Sequence, residues 1–163
     1  MTKTAKPTTD FANDERLTFY GEMLEAQRRL QKAFGASIRD ETGMSIVWFE
    51  ALLRLARSPE HRLPINELGR QMQITSGGAT RMVDRLEQEG YIERTACAED
   101  RRILWCQLTE RGAAVLDRAV AVHLRDLDEL LLAHIAADDR SSMLASFAAI
   151  RAGLDPSARA EIE

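Results

Sequence analysis

The chain has 163 residues, of which 45% are hydrophobic and 29% charged, and its formal net charge is -4 at pH 7. This composition supports a compact core and excludes global disorder, while the acidic balance excludes a protein that coats nucleic acid through bulk positive charge. Two cysteines are too few for a disulfide framework, and we find neither an apolar run of roughly 18 residues that could span a bilayer nor a secretory signal. We therefore expect a cytoplasmic protein with reduced thiols and no membrane partner.

The amino-terminal part predicts two helices after a disordered tail over residues 1–10. Apolar residues at helical spacing predict a first helix over about 14–39, and Thr42-Gly43 forms a break. Ser45 is suited to cap a second helix that ends near Arg57. This second helix is apolar on most sides, which is typical of a buried helix.

Two shorter helices come next, after a polar turn. Pro64 suits the first turn of a helix that ends near Met72. After a tight connection, Thr75 or Ser76 caps another helix, and Gly90 ends it as the glycine that follows the last turn. Its apolar face follows the i, i+3, i+4, i+7 pattern and consists of Ala79, Met82, Val83 and Leu86.

The next segment predicts a β-hairpin with a charged tip. Two runs of strand-forming residues, 91–95 and 103–108, flank a polar stretch that contains Asp100-Arg101-Arg102. A protruding arginine is attracted by a narrow minor groove, and an acid beside it can hold the guanidinium in place. The alternative is a charged turn whose arginines only keep it soluble.

Two long helices close the chain. Thr109 can cap a helix that runs to about Ile135, and a last helix is expected over about 138–152. The apolar stripe of the first of these helices is larger than one small domain could bury alone, so we expect a partner surface there. The predicted fold class is mostly α with a small β-wing: a winged helix-turn-helix domain flanked by long apolar helices, which the family resemblance given below identifies as a helical dimerisation region.

This order of elements points to DNA because an α-helix fits the major groove and its outward residues reach the base edges. On the helix after the tight connection, Arg81 is the best candidate to read guanine, and Arg85 either contacts phosphate or pairs with an acid. Gly77 and Gly78 are costly in a helix, and their lack of side chains would let the backbone approach the duplex. The candidate contacts of this helix are Thr75, Ser76, Gly77, Gly78, Thr80, Arg81 and Arg85. The alternative is an ordinary solvated helix surface.

The stretch from Leu68 to Gly112 resembles the MarR family of bacterial regulators. The matching motifs are T-R-M-V-D-R-L-E on the helix, G-Y-I-E-R at the start of the hairpin, D-R-R at its tip and L-T-x-x-G after it. The resemblance implies a homodimer that reads a pseudo-palindromic site in double-stranded DNA, usually as a repressor. It assigns major-groove contact to Thr80 and Arg81 and minor-groove insertion to Arg102. Arg94, in the G-Y-I-E-R motif, joins the candidate DNA-binding residues together with Asp100 and Arg101.

The resemblance also suggests a domain plan and an effector. Residues 58–108 would form the winged domain, whereas 11–57 and 109–153 would form the dimerisation region, with helix 45–57 bridging to the core and a tail over 154–163. Many family members bind small phenolic or aromatic ligands between these parts. The candidate residues for such a ligand are Phe34, Trp48, Phe49 and Leu52. The alternative for this group is core packing.

Other functions have weaker support. Cys97 or Cys106 could sense oxidants, although an unreactive cysteine, exposed or half-buried, is the simpler interpretation. The three histidines are scattered, so no metal site is predicted. The sequence contains no P-loop, dinucleotide fingerprint or nucleophile elbow, so we expect neither an enzyme nor a cofactor. A remaining alternative is a winged-helix scaffold that has lost DNA binding and mediates protein contacts.

Overall fold

The computed structural model describes residues 14–96 and 103–154, which contain six α-helices and three short strands. The contacts between residues divide the chain into two compact units, of which the first ends at His123 and the second begins at Leu124. The elements are α1 Glu15–Thr42, α2 Ile46–Ala56, β1 Arg62–Pro64, α3 Ile65–Gln71, α4 Ser76–Gln88, β2 Ile92–Ala96, β3 Leu104–Leu108, α5 Glu110–Leu130 and α6 Ala137–Gly153.

Local capping explains where the first two helices begin and end. The carboxylate of Asp14 accepts a hydrogen bond from the backbone N–H of Arg16 at 2.9 Å and caps α1. Gly43 ends this helix with a left-handed φ of 73°, a conformation that glycine adopts without steric cost. Ser45 caps α2 by accepting from the backbone N–H of Trp48 at 3.3 Å. The predicted break and the predicted cap are both confirmed.

The core of the first unit forms around α2. Phe49, Leu52 and Leu55 are at most 2% exposed, as expected for a helix that is apolar on most sides. The predicted apolar face of α4 is buried, and it consists of Ala79, Met82, Val83 and Leu86. The last three of these residues belong to the same core cluster. Because α4 is attached through this face, its opposite face is free to carry exposed polar side chains.

The sheet contains one strand that the sequence pattern does not predict. The order is β1-β3-β2, and both pairs are antiparallel. The strand β1 has only three residues, too few to show alternation, and its segment was predicted as the end of a turn and the start of a helix. Leu63 pairs with Cys106 in register and lies in the core. The strands β2 and β3 pair as the predicted hairpin, so this prediction is confirmed. The two strands and the segment between them are called the wing.

The L-T-x-x-G motif ties the wing to α5. The hydroxyl of Thr109 donates to the carbonyl oxygen of Gly90 at 2.7 Å, and its oxygen accepts from the backbone N–H of Gly112 at 3.0 Å. Gly112 passes so close to Tyr91 that a Cβ there would stand 2.0 Å from the Tyr91 carbonyl oxygen. The motif therefore encodes a close approach between the end of the helix-turn-helix and the start of α5.

The second unit contains the end of α5 and all of α6. The α-helix stops at Leu130 and is followed by a single 3-10 turn, Leu132–His134, so the prediction that it continues to Ile135 is wrong. A run of leucines continues the apolar pattern through this point. The sequence pattern therefore does not indicate where the helix ends. The helix α6 has no buried residue, and Leu144 is 70% exposed. No helix among the described residues is long and apolar enough to cross a membrane.

Candidate nucleic-acid interface

A tight turn sets the angle between α3 and α4. Gln73, inside this turn, has a φ of 53°, in the left-handed region. The two helices approach closely, since a Cβ added to Gly69 would stand 2.9 Å from the Cβ of Ala79. A small residue is thus required at Gly69, and the pair of helices forms the helix-turn-helix that the sequence predicts.

The amino-terminal end of α4 is capped and exposed. The oxygen of Thr75 accepts from the backbone N–H of Gly78 at 3.2 Å, which leaves the hydroxyl hydrogen available to an outside acceptor. The hydroxyl of Thr80 donates to the carbonyl oxygen of Ser76 at 3.0 Å, so it keeps only acceptor capacity. A Cβ added to Gly77 would meet no atom within 4 Å. This end of the helix is therefore open to a large ligand.

Arg81 and Arg85 are exposed one turn apart on α4. The structure shows no ion pair for either guanidinium within residues 14–96 and 103–154. Both line a cleft of about 310 Å³ whose opposite wall includes Ser45 and Trp48 at the start of α2. Two positive charges in one cleft suit an anionic ligand such as a phosphate backbone.

Arg94 differs from these two arginines, because its guanidinium is held by acids of α4. Its Nε donates to Glu87 at 2.8 Å, and its Nη1 donates to Asp84 at 2.7 Å. These hydrogen bonds lower the pKa of Glu87 and raise that of Arg94. Asp84 and Glu87 were not singled out from the sequence, although two acids three residues apart on a helix expected to face phosphates are a signal that a cationic partner is needed.

The tip of the wing, Asp100-Arg101-Arg102, lies outside the described residues, so its minor-groove role stays a prediction. The described base of the wing ends at Ala96 and resumes at Ile103. Ile103 and Leu104 line, with Thr80 and Arg94, a second cleft of about 550 Å³ between α3, α4 and the wing.

The four candidate ligand residues are not brought together in one cavity. Phe49 and Leu52 are 2% and 0% exposed and belong to the core cluster. Phe34 is buried, and its ring meets the edge of His123 with a centroid distance of 4.8 Å. Trp48 alone borders one of the two clefts, where its ring also contacts Tyr91. The structure thus gives these residues packing contacts, and their role in ligand binding stays a prediction.

Thiol and metal chemistry receive no support from the described residues. Cys106 is completely buried in β3, and burial raises the pKa of its thiol to about 12. A thiol with such a pKa carries almost no thiolate at neutral pH and is a poor redox sensor. Cys97 lies outside the described residues. In the described ranges, no group of three or more histidines, cysteines and acids could hold a metal ion.

The arrangement of two packed helices, an exposed second helix and a following β-wing defines a winged helix-turn-helix protein. Residues 42–103 match the sequence model of the MarR family. The matched segment therefore belongs to the MarR family, as the motifs between Leu68 and Gly112 predicted.

Relatives agree with this assignment. The chain is 34% identical over 68 residues to the HTH-type transcriptional regulator MhqR of Bacillus subtilis, covering 42% of this chain and 47% of that protein. It is also 34% identical over 90 residues to the transcriptional repressor MprA of Escherichia coli, covering 55% of this chain and 47% of that protein. The alignments thus span about half the length of these relatives. Both are named as regulators of transcription and not as enzymes, in agreement with the predicted class.

The fold likeness extends beyond the matched segment. The structure of Sco3205, a MarR family transcriptional regulator from Streptomyces coelicolor in complex with DNA, superposes with a TM-score of 0.81 at 26% identity, covering 94% of this chain and 95% of that one. The helices that flank the winged segment therefore follow the same fold. The predicted fold class, mostly α with a small β-wing, is confirmed.

Proposed function

We propose that the protein is a homodimeric, sequence-specific DNA-binding repressor that reads a pseudo-palindromic operator. In this proposal, Arg81 enters the major groove on α4, with Thr80 beside it. Thr75, Ser76 and the glycines after them approach the backbone, and the wing reaches the minor groove with Arg102. Residues 58–108 serve as the reading domain, and 11–57 with 109–153 serve as the dimerisation region.

The observation that carries the proposal is the division of α4 into two faces. Ala79, Val83 and Leu86 are at most 1% exposed, whereas Arg81 and Arg85 stand in solvent. A helix fixed by one face presents the other at a constant angle, which is what reading of base edges requires. The positive charges of Arg81 and Arg85 are local, so they can attract DNA phosphates in spite of the net charge of -4.

Exposed apolar side chains support a second copy as partner. On α1, Phe19 is 74% exposed and Tyr20 is 55% exposed. On α6, Leu144 and Phe147 are 70% and 48% exposed. Several large apolar side chains exposed on one helix mark a candidate surface for protein contact. A twofold dimer would cover these helices and place two winged domains on the two halves of a palindrome.

The repressor role rests on the kind of relative that the chain matches, since MprA is named a transcriptional repressor. An aromatic or phenolic effector remains part of the proposal. The cleft beside Trp48 is its best-supported location in the described residues, because it combines an aromatic wall with Arg81 and Arg85. A ligand there would compete with DNA for the same two arginines.

Selection of bound duplexes from a random DNA pool tests the function. The purified wild-type chain should enrich a pseudo-palindrome with half-sites about one helical turn apart. Arg81→Ala should bind the enriched site with a loss of about 1–3 kcal/mol and should blur the preference at one base position in each half. Arg118→Ala, on the exposed surface of α5, serves as the control for loss of one positive charge. If the wild-type chain enriches no sequence, the result favours the alternative of a winged-helix scaffold that mediates protein contacts.

A further inference from the structure

Arg94 lies in β2, the first strand of the wing, and its side chain reaches back to α4. We infer that Arg94 is a positioning residue that fixes the wing against α4 and neutralises two carboxylates of that helix, and that it does not contact DNA itself. This inference rests on the proposed DNA-binding function and reassigns one of its candidate contacts.

The hydrogen bonds of Arg94 use all three nitrogens of its guanidinium. Nε donates to Oε2 of Glu87 at 2.8 Å, Nη1 donates to Oδ1 of Asp84 at 2.7 Å, and Nη2 donates to the same oxygen of Glu87. The backbone N–H of Arg94 also donates to the Glu87 carboxylate, at 3.2 Å. One carboxylate thus holds both the side chain and the backbone of the same strand residue. Such a fork restricts the strand much more than a single contact would.

Local charge argues against direct contact between Arg94 and a phosphate. Two carboxylates surround one guanidinium, so the cluster keeps a formal charge of about -1. A phosphate that approached Arg94 would also approach Asp84 and Glu87. The side chains of all three are 30–40% exposed, so solvent screens the repulsion only in part. The exposed Arg81 and Arg85, on the same helix, carry no such acids in the described residues and are the better phosphate or base contacts.

Removal of Arg94 would therefore act in two ways. Two unpaired negative charges would remain on the helix that faces DNA, and β2 would lose its fixed direction two residues before the described part of the strand ends at Ala96. Both effects pass through Asp84 and Glu87, because these residues are the partners of the fork. If both acids are replaced, Arg94 has no carboxylate charge to neutralise and no hydrogen-bond partner on α4 that would fix the strand.

A double-mutant cycle on DNA affinity tests the inference. The four proteins are the wild type, Arg94→Gln, the pair Asp84→Asn with Glu87→Gln, and the triple variant, each measured by fluorescence anisotropy with the selected duplex over a series of KCl concentrations. We expect Arg94→Gln to weaken binding by about ten-fold in the wild-type background but to have little effect once both acids are replaced. The slope of log affinity against log salt should be unchanged by Arg94→Gln, because no phosphate contact is lost.

Two results would overturn the inference. One is an equal loss of affinity in both backgrounds with a salt slope reduced by about one, as expected for a phosphate contact. The other is an affinity that Arg94→Gln leaves unaltered. Arg118→Gln on α5 controls for the change in net charge. Failure of the wild-type chain to bind any selected duplex would refute the proposed function before the variants are compared.

Arg94→Lys covers the case in which Arg94→Gln does not fold, as judged by circular dichroism. Lysine keeps the charge and could still contact a phosphate, but its single ammonium cannot bridge two carboxylates as the guanidinium fork does. The inference therefore expects weaker binding for Arg94→Lys. Wild-type affinity for this variant would support a simple phosphate contact instead.

Discussion

Gly112 illustrates how one residue fixes the connection between the winged segment and α5. A Cβ at this position would stand 2.0 Å from the carbonyl oxygen of Tyr91 and 2.9 Å from a methyl carbon of Leu108. The nearest obstacle is backbone, which cannot rotate away as a flexible side chain can. Gly112→Ala should therefore lower the free energy of unfolding by about 3 kcal/mol or more, measured by urea denaturation at fixed protein concentration.

The control for this substitution is a neighbour on the same helix. Ala114 is exposed, and Ala114→Ser should cost no more than about 0.5 kcal/mol, the difference in helix propensity. Equal stability of Gly112→Ala and the wild type would show that α5 can shift away from Tyr91. The close approach would then be a preference of the fold and not a requirement.

The arginines show what residue-level sequence patterns can and cannot predict. The spacing of Arg81 and Arg85 from the apolar face of α4 predicted their exposure, and both are exposed. The environment of Arg94 could not be predicted in the same way, because its partners Asp84 and Glu87 lie on another element. Helical periodicity fixes which side of one helix a residue occupies. It does not fix which side chains of a neighbouring strand will meet it.

Within the element α4, we expect only the amino-terminal end to approach DNA. The amino-terminal end carries Gly77, where an added Cβ would meet nothing within 4 Å. Glycine weakens a helix, and no contact among the described residues requires one at this position, so we expect the absent side chain to make room for the duplex. Gly77→Ala should raise the stability of the protein by up to about 1 kcal/mol and should at the same time weaken DNA binding.

The matched control acts at the other end of the same helix. Gln88 is exposed in the last turn of α4, and Gln88→Ala also replaces a residue by the best helix former. It should leave DNA affinity unchanged, because it lies far from the capped end. Thermal unfolding and anisotropy with the selected duplex measure both effects. Wild-type affinity of Gly77→Ala would mean that the backbone of α4 does not approach DNA at this point.

Elements were predictable where they carry a repeated pattern. The apolar face of α4 follows the helical period over 13 residues and was placed correctly. The helix α2, predicted to be buried because it is apolar on most sides, contributes Phe49, Leu52 and Leu55 to the core. Two features were missed because they carry no such pattern. The strand β1 has three residues and is defined by pairing with β3 from a distant part of the chain. The end of α5 at Leu130 lies inside a continuous apolar run and lacks a terminating glycine or proline.

For the molecule as a whole, the acidic net charge limits what one copy can do. The chain carries 26 acidic against 22 basic residues, so long-range attraction to DNA is weak and affinity must come from a few local arginines. Two linked copies raise the effective concentration of the second winged domain at its half-site. Specific binding should therefore depend on the dimer much more than in a strongly basic protein.

Disruption of the proposed dimer tests this dependence. Leu144 is 70% exposed on α6, so an aspartate at this position costs the free chain little but would bury a charge in the dimer. Leu144→Asp should raise the dimer dissociation constant by about 30-fold or more, measured by sedimentation equilibrium. Ser142→Asp, on the other side of the same helix by its spacing, should remain dimeric.

The Leu144→Asp monomer should keep its helical content and lose affinity for the full palindrome. It should bind a single half-site as weakly as the wild type does. If the Leu144→Asp protein stays dimeric, the dimer interface is formed by other residues. If it is monomeric and still binds the palindrome tightly, one copy is sufficient for binding.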